Sequence, residues 1–139
     1  MPLSAGAVAR PDIILAETEA DRLSALATRL RDAAPQAADL LLEEIERAEI
    51  RADLDMPRTV VRMESVVQFV DEAHGNPRTV LLVYPRDADI AAGKVSVLSF
   101  VGAGLIGLSP HQAIQWPDRN GRQRTLRILK VRPPERLPL

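Results

Sequence analysis

The sequence predicts an α+β fold: a short N-terminal antiparallel helical hairpin followed by an antiparallel sheet with a short packed helix. Three observations predict it. Apolar residues recur at helical spacing as far as residue 50 and hardly after it. From Met56-Pro57 onward they fall in short β-branched runs. Those runs are separated by turn signals, Gly75-Asn76 and Asn120-Gly121 among them. A chain of 139 residues that is 46% hydrophobic can bury a real core.

In chain order, 1–11 reads as a flexible tail rich in small residues. Asp12-Ile13-Ile14-Leu15 is a short apolar anchor. Leu23, Leu26, Ala27 and Leu30 mark one face of a first helix over 19–32, with Thr18 as its N-cap. Pro35 suits the first turn of a new helix. The second helix spans 36–50, with Ala38, Leu41, Ile45 and Ala48 as its seam and Glu43–Arg47 as an outer ion pair. The short connection makes the two helices antiparallel, with a tip at Asp32 to Asp39. The hairpin unit is 12–55 and the sheet domain 56–139.

Arg58 to Met63 is read as the first strand and Ser65 to Asp71 as the second. Arg78 to Tyr84, continuous in Val and Leu, is read as a central strand. Residues 86–93 form one helical turn closed by Gly93. Lys94 to Leu98 is a short strand, and Phe100 to Gly107 is a loop or a buried short helix ended by Ser109-Pro110. Ala113 to Trp116 and Gln123 to Val131 complete the sheet as a hairpin.

Composition excludes more than it assigns. The chain has no cysteine, so disulfides, thiolate metal sites and cysteine nucleophiles are absent, and a reducing compartment fits. Without a long apolar run, neither a membrane span nor a secretory leader is expected. The four aromatics, Phe69, Tyr84, Phe100 and Trp116, are far apart in sequence. They argue against a base-stacking surface or an aromatic-walled pocket. Net charge is −1, yet Leu15 to Asp55 holds eleven acids against five bases, while Arg119 to Leu139 holds seven bases against one acid. Such a polarity orients a molecule on a charged partner.

Gly102, Gly104 and Gly107 spell G-x-G-x-x-G after a β-like run. A dinucleotide site needs a long helix next and an acid about 20 residues on. Pro110 breaks that helix, and Arg127 stands where the acid is required. The glycines are better read as letting a short helix lie close on a sheet. His74 and His111 read as surface residues, and Asp87 and Asp89 as parts of a capped turn. Asp32 and Asp39 bracket the hairpin tip, where solvated carboxylates outweigh a shared Mg²⁺. No cofactor is expected.

The block from Lys94 to Leu108, with Met56-Pro57, Val61 to Phe69 and Leu82 to Pro85, resembles the Rnk family, regulators of nucleoside diphosphate kinase. Through them it resembles the Gre transcript-cleavage factors, whose C-terminal signature is a Ser-Val strand followed by a short helix ending in Leu-Ile-Gly. The resemblance spans the chain from about Asp12. It implies an FKBP-like sheet domain and a non-catalytic, cytoplasmic transcription regulator that binds core RNA polymerase near its secondary channel. It implies that the factor modulates elongation or competes with Gre-like factors, without direct sequence-specific nucleic-acid recognition. The docking residues it implies are Leu98, Ser99 and Phe100, with Asp32 and Asp39 at the tip. Two departures stand out: Phe100 occupies a position that is proline in Gre proteins, and the hairpin arms are shorter than Gre arms. A monomer is expected. The alternatives are a peptidyl-prolyl isomerase, on fold alone, and a direct protein regulator of nucleoside diphosphate kinase, on the family name alone.

Overall fold

The computed structural model describes residues 10–134. Strand β1 (Ile14–Ala16) runs straight into helix α1 (Glu17–Arg29). A turn over 30–34 leads into α2 (Pro35–Arg47), with Pro35 in its first turn as the sequence predicts. Strand β2 (Glu49–Arg51) follows. Then come β3 (Val66–Asp71), β4 (Pro77–Val83), β5 (Lys94–Ser96), α3 (Phe100–Leu105), β6 (Ala113–Pro117) and β7 (Gln123–Arg132).

Five strands form one sheet in the order β5-β4-β3-β7-β6. Its β3–β4, β3–β7 and β6–β7 ladders are antiparallel, but β4–β5 is parallel, so the sheet is mixed rather than wholly antiparallel. The chain returns from β4 to β5 through two 3-10 turns, Pro85–Asp87 and Ile90–Ala92. Asp89 caps the second through Ala92 N–H, and Gly93 ends it at φ +76°. This crossover sends the chain back in its original direction. β4 is an interior strand, as read, flanked by β5 and β3, and β3 holds the middle of the sheet.

The predicted strand over 58–63 does not form. Val60, Val61 and Met63 are buried without alternation. Among the described residues Val61 exchanges backbone bonds with the end of the α3 segment, donating to Leu108 O at 2.8 Å and accepting from Gly107 N at 2.9 Å. Ser65 Oγ accepts from Arg62 N at 2.9 Å and folds the chain into a turn. β-branched residues filled a core here without finding a ladder partner.

The end of the second helix is also different. Glu49–Arg51 leaves the helix and pairs in parallel with β1. Glu49 N donates to Ile13 O at 2.9 Å and Ile14 N to Gly107 O at 3.2 Å, so β1 lies between β2 and the turn after α3. Ala16, not Thr18, is the N-cap of α1, and its side chain caps nothing. Thr18 instead donates its N–H to Asp53 Oδ1 at 3.1 Å and its hydroxyl to Asp53 Oδ2. Arg47 pairs with Glu44 (2.7 Å) instead of Glu43 and donates to Pro11 O at 2.6 Å.

Leu23, Leu26 and Leu41 of the hairpin, Leu105 and Ile106 of the α3 segment, and Phe69, Leu82, Ile114 and Trp116 of the sheet belong to one buried cluster. The hairpin therefore completes the core of the sheet. Each such side chain contributes about 1.5–3 kcal/mol on burial. Among the described residues, no helix is long and apolar enough to cross a membrane.

Candidate partner-binding site

The turn from β5 into α3 is held from several sides. Ser96 Oγ accepts from Leu98 N at 2.9 Å. Ser99 Oγ donates to Ser96 O at 2.6 Å and accepts from Gly102 N at 3.0 Å, capping α3. Trp116 Nε1 donates to Phe100 O at 2.5 Å, fastening the first residue of α3 to β6.

The glycines make these contacts possible. A Cβ on Gly102 would stand 2.0 Å from Ser96 O, and one on Gly104 would stand 2.9 Å from the Trp116 indole. Gly107 sits at φ +83° with Ile13 against its open side. The predicted close packing of a short helix is the observed use of Gly102 and Gly104, whereas Gly107 lies beyond α3 and serves the left-handed turn that follows it.

Ser99 and Phe100 line a cleft of about 390 Å³ with Val95, Val101, Ile90 and Trp116. Leu98, the third predicted docking residue, is half-buried against the core beside them. Sequence separation of the aromatics was misleading, because an apolar cleft does exist. Phe100 and Trp116 line it, and Arg78, whose guanidinium lies 5.7 Å from the Phe69 ring, forms part of its wall. Arg124, also on the wall, pairs with Asp118 at 3.0 Å and Asp71 at 3.6 Å. Exposed His74 lies 3.1 Å from Arg124, and exposed His111 has φ +74°.

Asp32 and Asp39 form a separate region. Asp32 is exposed in the interhelical turn. Asp39 lies in the first turns of α2 and pairs with Arg31 at 2.8 Å. Among the described residues, no hydrogen bond or ion pair joins either aspartate to Leu98, Ser99 or Phe100. Nor does any group of three or more His, Asp or Glu converge there as a metal site would require.

Two clamps between hairpin and sheet domain were not visible in the sequence. Arg10 lies 4.8 Å over the Trp116 ring and reaches Glu43 (3.1 Å) and buried Glu44 (3.3 Å) on α2. Part of the segment read as a tail is thus a strap from α2 to β6. On the other side, Glu19 of α1 pairs with Arg62 at 3.2 Å and accepts from Met63 N at 3.4 Å. Burial raises the Glu19 carboxyl above its ordinary range, although Arg62 and the Met63 amide pull it back. Asp53 is lowered by the Thr18 hydroxyl and amide. No local pattern marks these partners, which lie 33 or more residues apart.

Comparison with known proteins places this geometry in context. Residues 56–133 match the family described as transcription elongation factor, GreA/GreB, C-term. The chain is 33% identical over 124 residues to the Escherichia coli (strain K12) regulator of nucleoside diphosphate kinase, covering 89% of this chain and 91% of that protein. It is 34% identical over 108 residues to transcription elongation factor GreA of Methylobacterium sp. (strain 4-46), covering 72% and 68%. The solved structure of a prokaryotic transcription elongation factor GreA/GreB from Nitrosomonas europaea superposes with a TM-score of 0.68 at 36% identity, covering 88% of this chain and 99% of that one.

Proposed function

Because the chain belongs to the GreA/GreB family of transcription elongation factors, and is similar over most of its length to a regulator of nucleoside diphosphate kinase, we propose that it is a non-catalytic regulator that binds core RNA polymerase. The α3 corner docks near the secondary channel, and the factor modulates elongation or competes with Gre-like factors in the cytoplasm. The observation that carries the reading is the corner itself. Ser99 and Phe100 line an apolar cleft and Leu98 packs on the core beside them, on a turn braced by three side-chain hydrogen bonds, within the matched segment. A rigid, partly apolar corner suits docking because little entropy is lost on binding.

The hairpin tip supports a role without transcript cleavage. Each arm has 13 helical residues, roughly 20 Å, and Asp39 already has a cationic partner in Arg31. Asp32 and Asp39 would meet the polymerase as surface charges.

The test is titration of the labelled intact chain with core polymerase, followed by competition with a Gre factor. We expect micromolar or tighter binding that the competitor displaces. Absence of binding at micromolar concentrations would sink the reading. Phe100→Pro sharpens it. Phe100 opens α3, where proline is well tolerated; Ser99 is extended, and no bond from Phe100 N–H is present among the described residues. The variant should fold and bind polymerase more tightly. Unchanged binding would move docking away from this corner.

The cleft gives the isomerase reading one specific observation in its favour. Its largest aromatic, Trp116, is only 1% exposed, so little of that ring is offered to a peptide proline. A proline-isomerisation assay on a short peptide should return the background rate. Direct regulation of nucleoside diphosphate kinase would show as capture of that enzyme by the purified chain. If the effect is transcriptional, the enzyme's level changes without capture.

A further inference from the structure

Alternation sends Val67, Phe69, Val80, Leu82, Leu126 and Ile128 into the core, which the hairpin and α3 share. The opposite face is half-buried or exposed at Val66, Gln68, Val70, Thr79 and Leu81, and closes only at its Val83 end, which is buried. Its registers bring together residues distant in sequence. Lys94, Leu81, Val66 and Arg132 form one row across β5, β4, β3 and β7, and Thr79, Gln68 and Lys130 form the next. Leu81 and Val66 are half-buried, whereas Lys94, Lys130 and Arg132 are exposed. Among the described residues these three bases take part in no ion pair, and neither row contains an acid. Between β3, β4 and β7 lies a shallow depression of about 260 Å³, lined by Val66, Gln68, Thr79, Lys130 and Arg132.

The spacing selects a shape. Lys94 and Arg132 stand three strand spacings apart, about 14 Å. An α-helix with side chains is about 10–12 Å across. We infer that this face binds an acidic amphipathic helix of a partner protein. Its apolar stripe lies on Leu81 and Val66, and its carboxylates reach Lys94 on one side and Lys130 and Arg132 on the other. A nucleic acid is the poorer fit, because the face carries no aromatic for stacking and has an apolar floor between its bases. A second copy of this chain is also poorer. Its acidic helices have already placed Leu23, Leu26 and Leu41 in their own core. The surface is separate from the Ser99–Phe100 cleft, so its test is independent of polymerase binding.

The probe is a stapled helix of about four turns, with leucines on one stripe and glutamates on both flanks. It is titrated into the ¹⁵N-labelled intact chain at low salt. Amide shifts should concentrate on Val66, Gln68, Thr79, Leu81 and Lys130 and leave Ser99 and Phe100 unmoved. Charge reversal at two exposed positions, Lys94→Glu with Arg132→Glu, should weaken binding at least about tenfold, whereas Lys94→Arg with Arg132→Lys should retain it. Leu81→Gln should weaken the helix without abolishing the charge attraction. The inference fails if a scrambled peptide binds equally, if shifts map elsewhere, or if the reversed pair binds as wild type. It fails equally if an oligonucleotide outcompetes the helix on these residues, or if sedimentation shows them buried in a self-associated form.

Discussion

The α3 corner and the hairpin tip are two candidate ends of one molecule, and they are built in opposite ways. At the corner, three glycines remove side-chain volume so that backbone meets backbone, indole and isoleucine. Two serines and a tryptophan then tie the turn to β5 and β6. At the tip, a turn over 30–34 is closed by backbone bonds from Ala33 and Ala34 to Leu30 O, and one exposed ion pair joins Arg31 to Asp39. The difference shows where the fold resists change. The corner presents one shape, whereas tip residues are free to vary so long as the turn closes. A shared docking surface with variable outcomes is what such a division allows.

Gly102→Ala should show the largest effect. The new methyl would meet Ser96 O at 2.0 Å, and this neighbour is backbone rather than a flexible side chain. Overpacking costs about 1–3 kcal/mol, and a backbone neighbour that cannot swing aside puts this site at the upper end. Urea unfolding of the variant should show a midpoint far below wild type. A loss under about 1 kcal/mol would mean that the corner yields easily, and the contrast with the tip would collapse.

Ser99→Ala removes the cap of α3 and its bond to Ser96 O. The expected loss is about 1 kcal/mol. Because the turn should loosen as well, polymerase affinity should fall by more than that stability loss alone predicts. Equal polymerase binding by wild type and variant would show that docking does not read the shape of this turn.

The same contrast explains what could be read from the sequence. The corner was legible because its constraint is steric and local: Gly102, Gly104 and Gly107 within six residues, ended by Ser109-Pro110, allow few packings. The helical seam through Leu23, Leu26 and Leu41 was legible for the same reason, since periodicity names a buried face. Thr18 was misread because its local geometry suits a cap, while Asp53, 35 residues on, takes both its donors. Val60 and Val61 have strand propensity, but whether a ladder partner exists is a property of the whole sheet. The parallel direction of β5 was invisible too, because pairing direction is not written in side-chain alternation. The cleft escaped because Phe100 and Trp116 are brought together only by the α3–β6 packing.

Glu19, at the foot of α1 against Arg62 and Met63, extends the contrast to pH. Its folded carboxyl is raised chiefly by burial, so the folded state holds this proton more tightly than the unfolded chain does. The contribution of Glu19 to stability therefore falls as pH rises from the ordinary carboxylate range through the raised value. Glu19→Gln cannot ionise and keeps an acceptor for Met63 N–H. Relative to wild type it should gain as pH rises above the ordinary carboxylate range, by about 1.4 kcal/mol for each unit by which the carboxyl is raised. Unfolding curves of both proteins across that rise check the sign. A gap moving the other way would mean that the Arg62 pair outweighs burial.

The smallest effect belongs to the tip. Arg31 and Asp39 are 59% and 48% exposed, so although the pairing Oδ1 is covered, most of both side chains faces water and salt. Asp39→Ala should change stability by no more than about 0.5 kcal/mol. Its consequence for function is correspondingly sharp, because any large change in the variant's effect on transcription cannot be charged to misfolding. Unchanged regulation would make the tip a spacer, leaving the corner as the part of the molecule that the polymerase reads. Altered regulation at unchanged polymerase affinity would instead mean that the corner holds the protein in place while the Asp39 carboxylate acts at a second position. Measuring affinity and transcript output on the same preparation separates these outcomes, and Asp32→Ala, exposed in the adjoining turn, tells whether charge at the tip or the Arg31 pair is responsible.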